Sequence, residues 1–250
     1  MLTPQQIADF HQQGFLVLSK LSSTSYCAEV LAFAKQQLAL PILPVEYEAD
    51  TGYPGAPSAI SDLGGETVRR LLQVTRRDQL IANWATGPSL AGPLKQLLGN
   101  AVLLSQAHHN CIMTKQPRFS SVTGWHRDSR YWHFQRPELI SAWLALRDET
   151  IENGCLLVIP GSHRVQVDAE GLDTAQFLRT DYLANQALLA RAIPVPLHTG
   201  DVLLFSSNLF HAAGRNQTDE TKFSMVFTYR ALDNPPIAAT RSASLPELLI

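Results

Sequence analysis

What the chain lacks first is electrostatic bias. Lys+Arg number 20 and Asp+Glu 22, a formal charge of −2, and the densest basic groups are the pairs Arg69-Arg70 and Arg76-Arg77. Such a balance gives no reason to expect a nucleic-acid partner, and the pairs read as solvated helix faces, with phosphate or coenzyme binding as the alternative. Cysteine is scarce too. Cys27, Cys111 and Cys155 are odd in number, widely spaced and free of any Cys-x-x-Cys pairing, which excludes a disulfide framework and favours buried thiols in a reducing compartment. No apolar run approaches the ~20 residues that span a bilayer. The opening Met1-Leu2-Thr3-Pro4-Gln5-Gln6 has no basic segment followed by an apolar one, so it does not read as a signal peptide. A cytoplasmic protein without membrane or nucleic-acid partners is expected. Repeats and low-complexity tracts are also missing, and nothing in the sequence sets an oligomeric state.

What is present suits one globular domain. A chain of 250 residues, 45% hydrophobic and 17% charged, can bury a full core. Thr3, Pro4 and Gln6 form a capping box with proline at the first helical position, and Gly14 ends that helix. Phe15-Leu16-Val17-Leu18 reads as a strand, and a second helix starts after Ser23 or Thr24 and stops before Pro41. Residues 44–66 read as a long loop, and residues 67–98 carry helical periodicity broken by Gly87-Pro88 and Gly92-Pro93. From 101 the pattern changes to short apolar runs at 101–106, 109–114, 139–146, 155–160, 194–197, 202–206 and 222–230, with a polar helical insertion at 168–192. Many short strands between turn signals indicate a β-sandwich or barrel. The expectation is a single domain over 1–250, with helical support in 1–100 and a β core in 101–232.

Chemistry concentrates in Gly124-Trp125-His126-Arg127-Asp128 and in Phe210-His211-Ala212-Ala213-Gly214. Residues i and i+2 of a strand project from one face, so His126 and Asp128 can reach one ion together. In a jelly roll, facing strands converge near one mouth, which allows the distant His211 to join them. Two imidazoles and one carboxylate form a ligand set suited to non-haem Fe(II) with coordination positions left open.

Four segments in order resemble the phytanoyl-CoA dioxygenase family of Fe(II)/2-oxoglutarate-dependent oxygenases. They are Trp125-His126-Arg127-Asp128 with Tyr131-Trp132; Ser141 through Leu146; Glu152-Asn153-Gly154-Cys155-Leu156 through Pro160-Gly161-Ser162-His163; and Gly200-Asp201 through His211 to Asn216. The resemblance implies a mainly β fold with N-terminal helices, built on a double-stranded β-helix (a jelly-roll or cupin-like barrel). It implies that His126, Asp128 and His211 ligate Fe(II), with 2-oxoglutarate and O₂ as cosubstrates and ascorbate as a reductant in vitro. The implied reaction hydroxylates a C–H bond of a small-molecule substrate and releases succinate and CO₂. Asp128 argues for hydroxylation over halogenation, because a small residue there would leave room for halide.

The family holds the far carboxylate of 2-oxoglutarate with an arginine on the strand after the distal histidine. Here that place is occupied by Lys222-Phe223-Ser224. Lys222 and Ser224 share a strand face and can grip a carboxylate, although lysine offers a point charge rather than a fork. Arg215 is the alternative anchor. Trp143 resembles the family's tryptophan beside the cosubstrate, or is a plain core aromatic. Of the adjacent His108 and His109, only one can face inward on a strand; His109 shares its face with Cys111 and Met113 and is the one expected to border the site.

The other candidates carry blander expectations. His163 belongs to the Pro-Gly-Ser-His turn and reads as a structural hydrogen-bonder, and His133 as surface or pocket wall. Arg127, Arg130 and Arg136 either hold an anionic substrate or are solvated charges. The loop 44–66, the segment 129–137 and the insertion 165–192 are the expected pocket walls. Two other functions compete: a cupin-like metalloenzyme that does not use 2-oxoglutarate, and a catalytically silent binding protein.

Overall fold

A computed structural model describes residues 1–53 and 55–250. Its larger sheet runs in the order β1 (Phe15–Leu18), β9 (Val202–Ser206), β6 (Leu139–Ala145), β11 (Lys222–Ala231), β4 (Val102–Lys115), β3 (Val68–Leu72) and β2 (Val45–Tyr47). A short β12 (Leu248–Leu249) also pairs with β4. The smaller sheet runs β5 (Thr123–His126), β10 (His211–Ala213), β7 (Leu156–Val158) and β8 (Ile193–Val195). Every pairing between these strands is antiparallel.

The period-2 alternation of the central strands explains the layering. On β6, Ile140, Ala142 and Leu144 join one apolar cluster, whereas Trp143 and Ala145 join another. On β9, Val202 and Leu204 face the first cluster, and Leu203 and Phe205 the second. On β11, Phe223, Met225, Phe227 and Tyr229 face the first. Helices complete that first cluster: α1 (Pro4–Gln13), α2 (Thr24–Ala39), α3 (Gln79–Ala85) and α4 (Pro88–Leu98) bury Phe10, Cys27, Val30, Ile81, Leu90 and Leu94. The smaller sheet supplies Leu156, Val158, Val195 and Ala213 to the second. The central strands are therefore apolar on both faces, with helices on one side and a second sheet on the other.

The capping box of α1 forms as expected, with Gln6 N–H on the Thr3 hydroxyl and Gly14 closing the helix at φ 83°. The two facing sheets are the form the expected jelly-roll barrel takes. Three expectations change. Helicity does not begin at 67: Val68–Leu72 is a strand whose Val68 and Leu71 are buried, and the helices start at Gln79. The loop 44–66 contributes β2, which pairs with β3. The 168–192 segment is mostly irregular, with only single 3-10 turns and the four-residue α5 (Gln186–Leu189). Of its apolar side chains, Leu172, Leu178, Leu188 and Leu189 cover a small satellite cluster, so no helix gains a continuous apolar stripe.

The two runs 101–106 and 109–114 are one strand, β4, interrupted in register. Phe227 of β11 pairs with Asn110 while its neighbour Thr228 pairs with Ser105, so residues 106–109 arch out of the ladder. That bulge re-aims His108 and His109.

Candidate metal centre

His126 ends β5 and His211 opens β10, and the two are paired directly across the ladder. Each ring is fixed by its own backbone two residues earlier: Nδ1–H of His126 donates to the Gly124 carbonyl at 2.8 Å, and that of His211 to the Leu209 carbonyl at 3.0 Å. Those bonds select the tautomer that leaves both Nε2 atoms bare and aimed at one point. Asp128 lies just past the strand, at the start of a 3-10 turn whose Ser129 N–H is anchored to Ser207. Its Oδ1 is 3.8 Å from His126 Nε2 and 3.6 Å from His211 Nε2. One ligand atom from each of the three lies within 4.8 Å of the others. All three residues are buried.

The second carboxylate oxygen is also held. Ser141 Oγ donates to Asp128 Oδ2 at 3.2 Å, and His109 Nδ1 lies 3.6 Å from the same oxygen. Burial raises the Asp128 carboxyl, but the histidines around it, His109 first, outweigh burial and hold it below the usual carboxylate range. Burial and then His211 push His126 well below the usual imidazole value, against the pull of Asp128. Burial likewise pushes His109 down to about 4, opposed by Asp128 and assisted by Arg70 and His211. Neutral imidazoles beside an ionised carboxylate are the protonation state a divalent metal needs.

These shifts make the metal-free protein acid-sensitive. With folded-state values below the unfolded value of about 6.5, the unfolded chain takes up protons that the fold excludes, so stability is lost as pH falls below that value. His109 alone should cost on the order of 1–2 kcal/mol at pH 5. The expected result is a fall in Tm of the metal-free protein between pH 7 and pH 5. A flat profile would contradict the buried, neutral histidines.

A cavity leads from the metal point between the sheets to Lys222, lined on the way by Trp143, Phe205, Ala213 and Thr123. Lys222 Nζ is 2.9 Å from Glu149 Oε2 and 3.2 Å from Ser224 Oγ. Glu149 is saturated on its other oxygen by Trp143 Nε1–H at 2.8 Å and by the Ser224 hydroxyl at 2.5 Å. Lys222 is left with one donor to spare. Directly across the β4–β11 ladder sits Lys115, also buried, whose Nζ donates to the Ser121 carbonyl at 3.0 Å and, among the described residues, meets no carboxylate. Burial, then Arg69 and Lys222, lower its proton affinity well below the usual lysine value. Like charges opposite one another are unfavourable in a sheet, so this end of the cavity is built for an anion. Arg69 adds a third cation, paired with Glu48 at 3.1 Å.

Of the residues singled out from sequence, His126, Asp128, His211, His109, Trp143 and Lys222 line this cavity. Ser224 touches it through Lys222. Arg215 is exposed, lies against Gly55 and does not line it, whereas Lys222 does. His163 Nε2 bonds to the His11 carbonyl at 3.1 Å, far from the ligands in role, and His133 is exposed. Arg127 is structural, with its guanidinium on the Ser162 and Val165 carbonyls and over Phe210; Arg136 is exposed and paired with Asp233 and Glu138. Lys115 and Glu149 were not singled out from sequence, and Arg69, read there as part of a solvated helix face, is instead buried on β3 because Glu48 pairs with it. Lys115 ends an apolar run and Glu149 precedes a turn, positions where charge is ordinarily solvated. The one available signal was the opposed placement of Lys115 and Lys222 at the ends of two long strands.

The family model of phytanoyl-CoA dioxygenase (PhyH) matches residues 10–224. The chain belongs to this family of Fe(II)/2-oxoglutarate-dependent oxygenases. An ectoine dioxygenase of Nocardia farcinica is 26% identical over 248 residues, covering 92% of this chain and 78% of that protein. An L-proline trans-4-hydroxylase of Streptomyces griseoviridis is 24% identical over 205 residues, covering 74% and 75%. Among solved structures, EctD from S. alaskensis with 2-oxoglutarate and 5-hydroxyectoine superimposes with a TM-score of 0.77 at 26% identity, covering 94% of this chain and 78% of that one. The protein is accordingly a non-haem iron dioxygenase with the double-stranded β-helix architecture. No helix among the described residues is long and apolar enough to cross a membrane.

Proposed function

We propose that this chain hydroxylates an unactivated C–H bond of a small molecule at one Fe(II) held by His126, Asp128 and His211. The convergence of three buried ligand atoms within 4.8 Å carries the reading. Its support is chemical: two Nε2 atoms with Nδ1 already spent, and one carboxylate kept ionised, fit a divalent metal and leave its other positions open. Iron, 2-oxoglutarate and O₂ supply the oxidising chemistry when bound, with succinate and CO₂ as co-products.

The chain's own part is placement and exclusion. His126 and His211 bind the metal from the smaller sheet and Asp128 closes the same face. Lys222, aimed by Glu149 and Ser224, and the opposed Lys115 take the far carboxylate of 2-oxoglutarate, with Trp143 as the wall beside it. Phe205, Leu156 and Ala213 keep that channel dry, which strengthens each charge-assisted bond within it. His109, neutral near pH 7, orients Asp128 and separates the cosubstrate channel from a second cavity where substrate approaches. The test is direct. Purified protein with Fe(II), ascorbate and 2-oxoglutarate under air is expected to bind one iron per chain and to form succinate. Iron binding without any consumption of 2-oxoglutarate would overturn the reading.

A further inference from the structure

A second cavity opens on the other side of the ligands from the cosubstrate channel. It meets the channel at His109, His126, Asp128 and Arg70, and its far walls include Glu46, Tyr53, Arg130, Trp132 and Arg241. Apart from Asp128, which faces the metal, three guanidinium groups here oppose one carboxylate. Glu46 is already engaged, 3.0 Å from Arg70 Nη1. His108 and His109 add no charge near neutrality, since burial pushes them down to about 3 and about 4.

Arg130 is the informative residue. Its guanidinium lies 3.8 Å from the Phe177 ring centroid and 4.3 Å from that of Tyr131, so its faces are occupied by aromatic rings. Its edge is not: Nε and Nη1 are buried and, among the described residues, meet no acceptor. Arg70 has a second such donor, a buried Nε without a partner. The nearest acids do not serve: one Asp173 oxygen is taken by the N–H groups of Ala175 and Phe177, and Asp128 faces the histidines. Arg127 shares a buried, unpartnered Nε, but its Nη2 donates to the Ser162 and Val165 carbonyls, so its outer edge is engaged where that of Arg130 is open. Buried N–H donors without acceptors are rare and destabilising, and a guanidinium edge matches a planar oxyanion.

We infer that Arg130, assisted by Arg70, recognises an oxyanion of the substrate, so that the enzyme acts on a small molecule bearing a carboxylate or a phosphate ester. This rests on the active-site reading above, in which substrate enters from this cavity. The anion sits beside Tyr53 and Trp132, and its attachment places the neighbouring carbon skeleton toward the metal ligands. The oxidised C–H therefore lies within a few bonds of the charged group. A neutral analogue of the same shape leaves the Arg130 edge unpaired, so the charge is a condition of binding and not an accessory to it.

The test uses protein loaded with Fe(II) and 2-oxoglutarate under nitrogen, titrated calorimetrically with benzoate, phenyl phosphate and neutral benzamide. At least one anion is expected to bind, with benzamide weaker by about tenfold or more, and the tighter of the two anions identifies the oxyanion class. Arg130→Gln should weaken anion binding by roughly ten- to a hundred-fold while iron stoichiometry and 2-oxoglutarate affinity stay as in the parent. Arg130→Lys keeps the charge, loses the fork and should fall between the two; the exposed Arg136→Gln should change nothing. Equal binding of benzamide and benzoate, no binding of either anion, or unchanged binding in both Arg130 variants would overturn the inference. Failure of iron or 2-oxoglutarate to bind in the loading step counts against the active-site reading instead. The same anion titration on metal-free protein then decides the cavity by itself.

Discussion

Alanine at His126, Asp128 or His211 is expected to reduce iron from one per chain to a small fraction and to abolish succinate formation. Loss of a residue that merely orients a ligand typically costs about 10–100-fold in metal affinity, so loss of a ligand itself should exceed ~100-fold. The chain should still fold, because the core clusters lie on the strands behind the ligands and contain none of them. The His126 and Asp128 variants should separate in acid. His126→Ala removes a buried imidazole with a depressed pKa, and the metal-free protein should then be less acid-sensitive than the parent. Asp128→Ala removes the charge that opposes burial at His109, so that imidazole becomes harder still to protonate. Iron content measured by metal analysis, with succinate by chromatography, checks the first claim, and Tm against pH checks the second. Parent-like iron content in His211→Ala would remove that residue from the ligand set.

How much of this was legible depended on whether a residue's role is local. The capping box at Thr3-Gln6 and the strands around Leu139, Val202 and Lys222 depend on neighbours in sequence, and they read correctly. The convergence of His126, Asp128 and His211 was legible because His-x-Asp is a local pattern and the downstream histidine falls within a recognisable strand context. The strand at Val68–Leu72 was not, since Arg69 and Arg70 interrupt its apolar pattern. Glu48 pairs with the buried Arg69 there and Glu46 with the half-buried Arg70, both from a segment more than twenty residues earlier. The same reason hid Glu149. A carboxylate beside Asp148 and ahead of a turn looks solvated, and only the β11 strand arriving from residue 222 makes it a buried counter-ion. Arg130 and Arg127 are three residues apart and looked alike. Backbone carbonyls from 162 and 165 engage one, while aromatic rings frame the other and leave its edge free.

The second large effect concerns Lys222, where the proposed cosubstrate anchor and the fold share one side chain. Lys222→Ala strands Glu149 as a buried carboxylate without a counter-charge, and removal of one partner of a buried pair costs about 3–5 kcal/mol. At about 2–4 °C per kcal/mol for a chain of this size, Tm should fall by on the order of 10 °C. Apparent KM for 2-oxoglutarate should rise roughly ten- to a hundred-fold from the lost charge-assisted bond. Those two losses have different origins, and a neutral pair separates them. Lys222→Met combined with Glu149→Gln keeps an acceptor for Trp143 Nε1–H and the Ser224 hydroxyl, and leaves no unpaired charge. Most of the stability should return while the KM defect persists. Lys222→Arg should not restore binding, because Glu149, Ser224 and Trp143 already enclose a compact ammonium and a planar fork needs more room. Arg215→Ala should leave both quantities near the parent values, as expected of an exposed side chain outside the cavity. A double variant that recovers normal 2-oxoglutarate binding would transfer the anchor wholly to Lys115, the one lysine in the channel with no acid of its own. In that case Lys115→Met should carry the KM defect that Lys222 does not.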